Sequence, residues 1–420
     1  MLHTHKIYLG LCLMMSLACL TLFCCTKPNT QAQTSVPAQT VSQSITGIAP
    51  ILKRNDGVGT PEEQNKVYTI FTELKHGIAA NPEDYQQRLQ LAQLYMLEAR
   101  ATGEHGYYYP AALQVLDKVL SENPAKDVEF GATSLKASVY LSLHKFAEAK
   151  SLAQGAANLN NYNALIYGSL VDAHVELGEY EQAVAMADKM VSIRPDLRSY
   201  SRISYLREIH GDLDGAIAAM QEAVKAGYPG YEETAWTRLT LGELYEQKGD
   251  YASARFQYQT ALAERPDYPF ATAALAGILI KEDKASEALG MLHQAAQIIP
   301  EVGFYIQMLD VYQAQQDTDN YQQTLAMVFE MLADDEANGH NMGMEYAKLH
   351  LQHTGDLDKA LAYAQKEYDD RPQNIDVNQL MAEVMFAMGE IDQAKRYLRV
   401  AQRTNKQHPD LLALSQQIDA

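Results

Sequence analysis

Residues 235–266 read AWTRLTLGELYEQKGDYASARFQYQTALAERP, and this stretch decides the fold. Two stretches with helical apolar spacing flank the turn Lys248-Gly249-Asp250, which predicts a pair of antiparallel helices. Gly249 can take the positive φ that ends a first helix, and Pro266 stops the second. Gly242 and Ala254 remove side-chain bulk where two helices cross closely, while Leu241 and Tyr245 fill the seam.

The same turn recurs along the chain. HKFAEA (144–149), GEYEQA (178–183), GDLDGA (211–216), GDYASA (249–254), DKASEA (283–288), GDLDKA (355–360) and GEIDQA (389–394) share one form. Their starts are separated by 34, 33, 38, 34, 72 and 34 residues, the fifth interval being close to two periods. Pro124, Pro195, Pro266, Pro300 and Pro372 fall on the same beat. A period of 34 with Gly in the turn, Ala in the second helix and Pro at the end resembles the tetratricopeptide repeat.

This register gives about nine copies, beginning near Pro82, Phe130, Ala164, Leu197, Ala235, Pro269, Gly303, Asn341 and Ile375. The resemblance spans 82–408 and implies an all-α solenoid of about nine helix-turn-helix repeats. Two copies depart from it. The first inserts ATGEHGYYYP, read as a loop carrying Tyr107, Tyr108 and Tyr109, and the seventh lacks the turn glycine and ends in DDEANGHN. Thr60-Pro61-Glu62-Glu63 is a strong helix start, so 60–81 is expected to cap the array, and 409–420 to close it as a short amphipathic helix. Repeats that touch only their neighbours predict an elongated or curved particle.

The resemblance implies that the protein works through a concave groove lined by the first helix of each repeat, near positions 2, 5, 9, 12 and 13. Position 2 of three successive copies is Trp236, Phe270 and Phe304. They either form an apolar stripe for a partner peptide or pack between repeats. Carboxylates fall at other groove positions: Asp172, Glu176, Glu243, Glu246 and Glu383. Arg194, Arg198, Arg202 and Arg207 form a local basic cluster, with Arg198 and Arg202 four apart on one helix face. They are placed either to grip an acidic segment or to pair with acids of neighbouring repeats. The Lys, Arg and Asn set with which family members clamp a C-terminal carboxylate is lacking from the strongest copies. The loop at Tyr107–Tyr109 either forms a contact tip for carbohydrate or protein, or tucks over the first repeat.

All four cysteines, Cys12, Cys19, Cys24 and Cys25, lie in the first 25 residues, which excludes disulfide frameworks, cysteine-held zinc clusters and thiol catalysis from the body of the chain. Residues 7–23 are uncharged and apolar, and suit a secretory signal better than a membrane span. Leu22-Phe23-Cys24-Cys25-Thr26 resembles the lipobox of bacterial lipoproteins, with Phe23 and Cys24 departing from the usual small residues. The resemblance implies a signal peptide at 1–24 and a lipidated Cys25, anchoring the protein to a membrane of the bacterial cell envelope and facing the periplasm or exterior. An uncleaved signal anchor or plain secretion are the alternatives. The Thr, Gln, Ser, Pro and Ala composition that follows predicts a flexible tether over 25–59.

With 47% hydrophobic residues the chain has ample material for a core. Its 53 acidic against 34 basic residues give a charge of −19, which removes any general attraction for nucleic acid or anionic membranes. No nucleophile elbow, P-loop or dinucleotide fingerprint appears, and His340, His350 and His353 lack the spacing of a zinc site. The expectation is a non-enzymatic, cofactor-free scaffold that binds a protein or peptide in its groove. The alternative is an envelope lipoprotein that binds carbohydrate or a small ligand.

Overall fold

A computed structural model describes residues 47–419. The signal peptide, Cys25 and most of the expected tether lie outside the described residues. Among the described residues nine helix pairs follow one another, one per expected repeat. Repeats 1 to 3 are Tyr85–Thr102 with His105–Ser121, Lys126–Ser142 with Phe146–Leu159, and Ala164–Glu176 with Tyr180–Ile193. Repeats 4 to 6 are Leu197–Ile209 with Leu213–Ala226, Glu232–Gln247 with Tyr251–Glu264, and Pro269–Lys281 with Ala285–Ile298. Repeats 7 to 9 are Val302–Gln315 with Thr318–Ala337, Gly343–Leu349 with Leu357–Asp370, and Ile375–Ala387 with Ile391–Ala401. The first helix of repeat 8 runs on as a π-helical turn, His350–Thr354.

The repeat residues occupy the places their size requires. Ala149, Ala183, Ala216, Ala254, Ala288, Ala360 and Ala394 are all fully buried at the crossings within pairs. A Cβ on Gly242 would run into the ring of Tyr258, itself fully buried. The capping helix Pro61–Ala80 starts with the reciprocal bonds of a capping box between Thr60 and Glu63. The closing helix Pro409–Asp419 buries Leu411, Leu414 and Ile418 against repeat 9.

The array is not open, as stacking of neighbours alone predicts. It winds tightly enough for successive superhelical turns to touch, and the turns of early repeats meet the loops of late ones. Tyr180 accepts a hydrogen bond from the Ile375 amide at 2.9 Å, and Asn374 donates to the Glu176 carbonyl at 3.0 Å. Arg371 pairs with Glu176 and Glu367, both at 2.6 Å, and lies over the ring of Phe146. Arg403 stacks on Tyr180 and donates to the carbonyls of Gly178 and Gln373. One repeat earlier, His144 meets the Asn341 carbonyl at 2.9 Å, and the His105 and His340 rings lie 5.6 Å apart. The seam is polar and joins residues about 200 apart in sequence, so the 34-residue period carries no trace of it.

Burial holds the imidazoles of His105 and His340 down at about 4. A folded value below the unfolded one means a stability contribution that is full at neutral pH and is lost as pH falls from about 6.5 to 4. Asp335 beside them is pushed up to about 6 by burial and works in the opposite sense. The informative quantity is therefore a difference between proteins. His340→Gln is expected to narrow its stability gap from wild type by up to about 3 kcal/mol between pH 7 and 4, read by urea melts at each pH. A gap independent of pH refutes this account of the seam.

Candidate functional site

The inner face of repeats 2 to 4 is built from small side chains. Groove positions 2, 5 and 9 carry Gly131, Ser134 and Ser138 in repeat 2, then Leu165, Gly168 and Asp172 in repeat 3. The small residues among them, Gly131, Ser134, Ser138 and Gly168, leave a cavity of about 180 Å³, which Arg198 and Arg202 of repeat 4 also line. The buried Oγ of Ser134 has no hydrogen-bond partner among the described residues.

The cavity floor is a buried ion pair. Arg202 Nε lies 2.9 and 3.0 Å from the two carboxylate oxygens of Asp172, and Nη2 lies 2.5 Å from Oδ2. The same guanidinium donates to the carbonyls of Gly168 and Arg198. Burial pushes the Asp172 carboxyl up to about 6 even though Arg202 draws it down. The arrangement offers shape, hydroxyls and fixed dipoles; its charges already satisfy one another.

The basic cluster is thus neutralised, and pairing with neighbouring acids prevails over gripping a ligand. Arg198 pairs with Glu233 at 3.3 Å, Arg207 with Asp212 at 2.9 Å, and Arg194 with Asp196 at 3.0 Å. Among the groove carboxylates, Glu176 serves the seam through Arg371, and Glu383 accepts from Gln379 at 2.9 Å. Glu246 is buried, accepting from Tyr258 at 2.6 Å and from Lys281 at 3.3 Å, so it does not face a ligand. Glu243 is half-buried.

The aromatic stripe is not one surface. Phe304 is buried, with its ring edge-on to Phe270 at 5.6 Å. Phe270 is half-buried and packs on Val58, Ile298 and Ile299. Trp236 belongs to a different cluster with Leu197, Ala216 and Leu241. Position 2 packs toward the preceding repeat: Trp236 joins Leu197 and Ala216 of repeat 4, and Phe304 meets Phe270 of repeat 6. Trp236→Ala is accordingly expected to cost roughly 2 kcal/mol of stability, below the cost of a fully buried aromatic, in a urea melt. No measurable loss restores the reading of an exposed stripe.

The expected Tyr107–Tyr109 loop is helical instead, forming the first turn of the second helix of repeat 1. Tyr108 and Tyr109 are buried, so they offer no platform to a sugar. Tyr107 and Tyr108 instead hold a segment the sequence reading missed. Within the stretch expected to be a tether, Ile48, Ala49, Ile51, Arg54 and Val58 are buried against repeat 1 and the loop after repeat 6. The apolar residues Ile48, Ile51 and Leu52 after a polar run were its one sequence signal. Among the described residues no group of three or more His, Cys, Asp or Glu gathers as a metal site would require. No described helix is long and apolar enough to cross a membrane.

Three family models described as tetratricopeptide repeat match residues 164–197, 206–269 and 351–418. Among solved structures, a thermophilic TPR protein of Thermus thermophilus is 24% identical, with 47% of this chain and 99% of that one covered at a TM-score of 0.40. A tetratricopeptide repeat protein of Parabacteroides merdae is 14% identical, covering 59% of this chain and 93% of its own at 0.43. The human IFIT1 dimer with PPP-AAAA is 12% identical, covering 84% and 95% at 0.45. No curated protein matches the chain. With its turn glycines, buried alanines and nine helix pairs in register, this chain belongs to the tetratricopeptide-repeat proteins, which generally serve as scaffolds for protein–protein interaction.

Proposed function

We propose that this scaffold is non-catalytic, tethered in a bacterial cell envelope through lipid on Cys25, and holds a protein partner along the inner face of repeats 2 to 4. The observation that carries the reading is the cavity at groove positions 2, 5 and 9. Its volume of about 180 Å³ is below the ~300–1,000 Å³ of small-ligand sites and suits a side chain or two of a protein segment. The unpartnered Ser134 hydroxyl offers such a segment one hydrogen bond. The satisfied Asp172–Arg202 floor favours a neutral rather than a charged insertion. The tether reading rests on Leu22–Thr26 in the sequence.

Ser134→Phe fills the cavity from a half-buried position. Proteins retained by the wild-type chain from native envelopes are expected to be lost with Ser134→Phe while its melting temperature is kept. Equal retention removes the groove from the reading. Cys25→Ser is expected to shift the protein out of the membrane fraction; an unchanged distribution removes the anchor.

A further inference from the structure

The segment 47–54, Gly-Ile-Ala-Pro-Ile-Leu-Lys-Arg, is held by a ladder of tyrosine hydroxyls. Tyr95 donates to the Ala49 carbonyl at 2.5 Å, Tyr107 to the Pro50 carbonyl at 2.8 Å, and Tyr68 to the Leu52 carbonyl at 3.3 Å. Tyr108 accepts from the Leu52 amide at 2.9 Å. Four hydroxyls thus read four main-chain groups of a segment without helix or strand, as an extended peptide ligand is read. Side chains add selectivity. Ile48 and Ile51 are buried, and Arg54 makes two hydrogen bonds, at 3.0 and 2.5 Å, to the carboxylate of Glu98, itself 1% exposed.

The segment also clasps the superhelix. Asn55 donates to the Ile298 carbonyl at 3.4 Å, and Val58 packs on Ile298 and Ile299. Gly57 and Gly59 follow with φ of +90° and +71°, a hinge between the clasp and the helix at Pro61. The segment has no secondary structure of its own, so leaving the cleft would break no helix and would expose Tyr95, Tyr108 and Glu98.

We propose that this cleft of repeat 1 is a binding site for an extended polypeptide segment with apolar residues ending in an arginine that reaches Glu98. Residues 48–54 are its resident ligand in cis, and a partner protein presenting the same chemistry takes the site in trans and releases the clasp on the end of repeat 6. The site is separate from the cavity of repeats 2 to 4, so either reading can fail without the other.

The test uses the full chain and a fluorescein-labelled peptide GIAPILKRNDGV, copied from residues 47–58. Arg54→Ala weakens the cis segment, and Leu52→Pro removes the amide that Tyr108 accepts from. Each variant is expected to bind the peptide at least about tenfold more tightly than wild type does, because the resident segment no longer competes. Changing the peptide's arginine to alanine is expected to lose that gain, as is adding Glu98→Gln to the Arg54→Ala chain. Variants that keep their helical circular dichroism yet bind no better overturn the proposal, as does uptake indifferent to the peptide's arginine. Loss of helical signal in both variants makes the segment a structural staple and likewise overturns it. Dimerisation of the variants without peptide uptake, seen by sedimentation, assigns the cleft to a second copy of the chain and overturns the partner reading.

Discussion

Asp172→Ala is expected to destabilise the protein by about 3–5 kcal/mol, because it removes the buried carboxylate that the Arg202 guanidinium grips through two of its nitrogens. Removing one member of a buried pair costs far more than the pair contributes, since the survivor keeps its desolvation penalty. The carbonyls of Gly168 and Arg198 still accept from Arg202, but they cannot neutralise it. The double replacement Asp172→Leu with Arg202→Met is expected to recover most of the loss by removing both charges from an apolar surrounding. Urea melts of the two variants decide the matter. A single variant within about 1 kcal/mol of wild type shows that water reaches Arg202 and that the cavity floor is not sealed.

Gly178→Ala is expected to open the seam between superhelical turns. Gly178 has φ of +75°, and a Cβ there would overlap the backbone of Gln373 in the loop before repeat 9. The left-handed conformation costs alanine about 1 kcal/mol, and the clash adds roughly 1–3 kcal/mol unless the seam yields. Gly249 is the matched control, with φ of +82° at the same turn and nothing within 4 Å of a Cβ. Gly249→Ala should therefore carry the conformational cost alone. Solution scattering is expected to give an increased radius of gyration for Gly178→Ala and none for Gly249→Ala. Equal behaviour of the two variants refutes the account of a closed superhelix, and so does a wild-type chain already as extended as the Gly178→Ala variant.

The two turn glycines differ only in what a distant part of the chain does to them. In sequence, Gly178 and Gly249 open the same motif, GEYEQA and GDYASA, and both ask for a positive φ. His144 and Asp283 take that conformation too, with φ of 57° and 60°, so the turn tolerates other residues where the surroundings allow. Repeats such as these are legible because each contact within and between neighbouring pairs recurs at a fixed spacing. Ala254 at a crossing, Gly242 under Tyr258 and Thr60 at a helix start are each dictated by residues a turn or a helix away.

The functional surfaces are legible only in part, for the same reason. The groove register led to Asp172 and the basic cluster to Arg198 and Arg202, and all three line the cavity. It gave no means of seeing that Arg202 is answered by Asp172 and Arg198 by Glu233, because side chains on adjacent first helices choose partners by local rotation. Trp236, Phe270 and Phe304 share a repeat position, yet only Phe270 and Phe304 pack together, while Trp236 sits in a separate cluster with Leu197 and Leu241.

What the sequence by itself determined is the all-α repeat architecture, its nine copies and its capping helices, because these follow from periodic contacts over about 34 residues. What only the tertiary structure decided is the closing of the superhelix through Tyr180, Arg371 and Arg403, and the seating of residues 48–54 in the tyrosine cleft. Those contacts join residues far apart in the chain, about 195 positions for Tyr180 and Ile375, or residues that belong to no repeat. They depend on the small rotation between successive pairs, which accumulates along the array into contact and leaves no periodic mark on the chain.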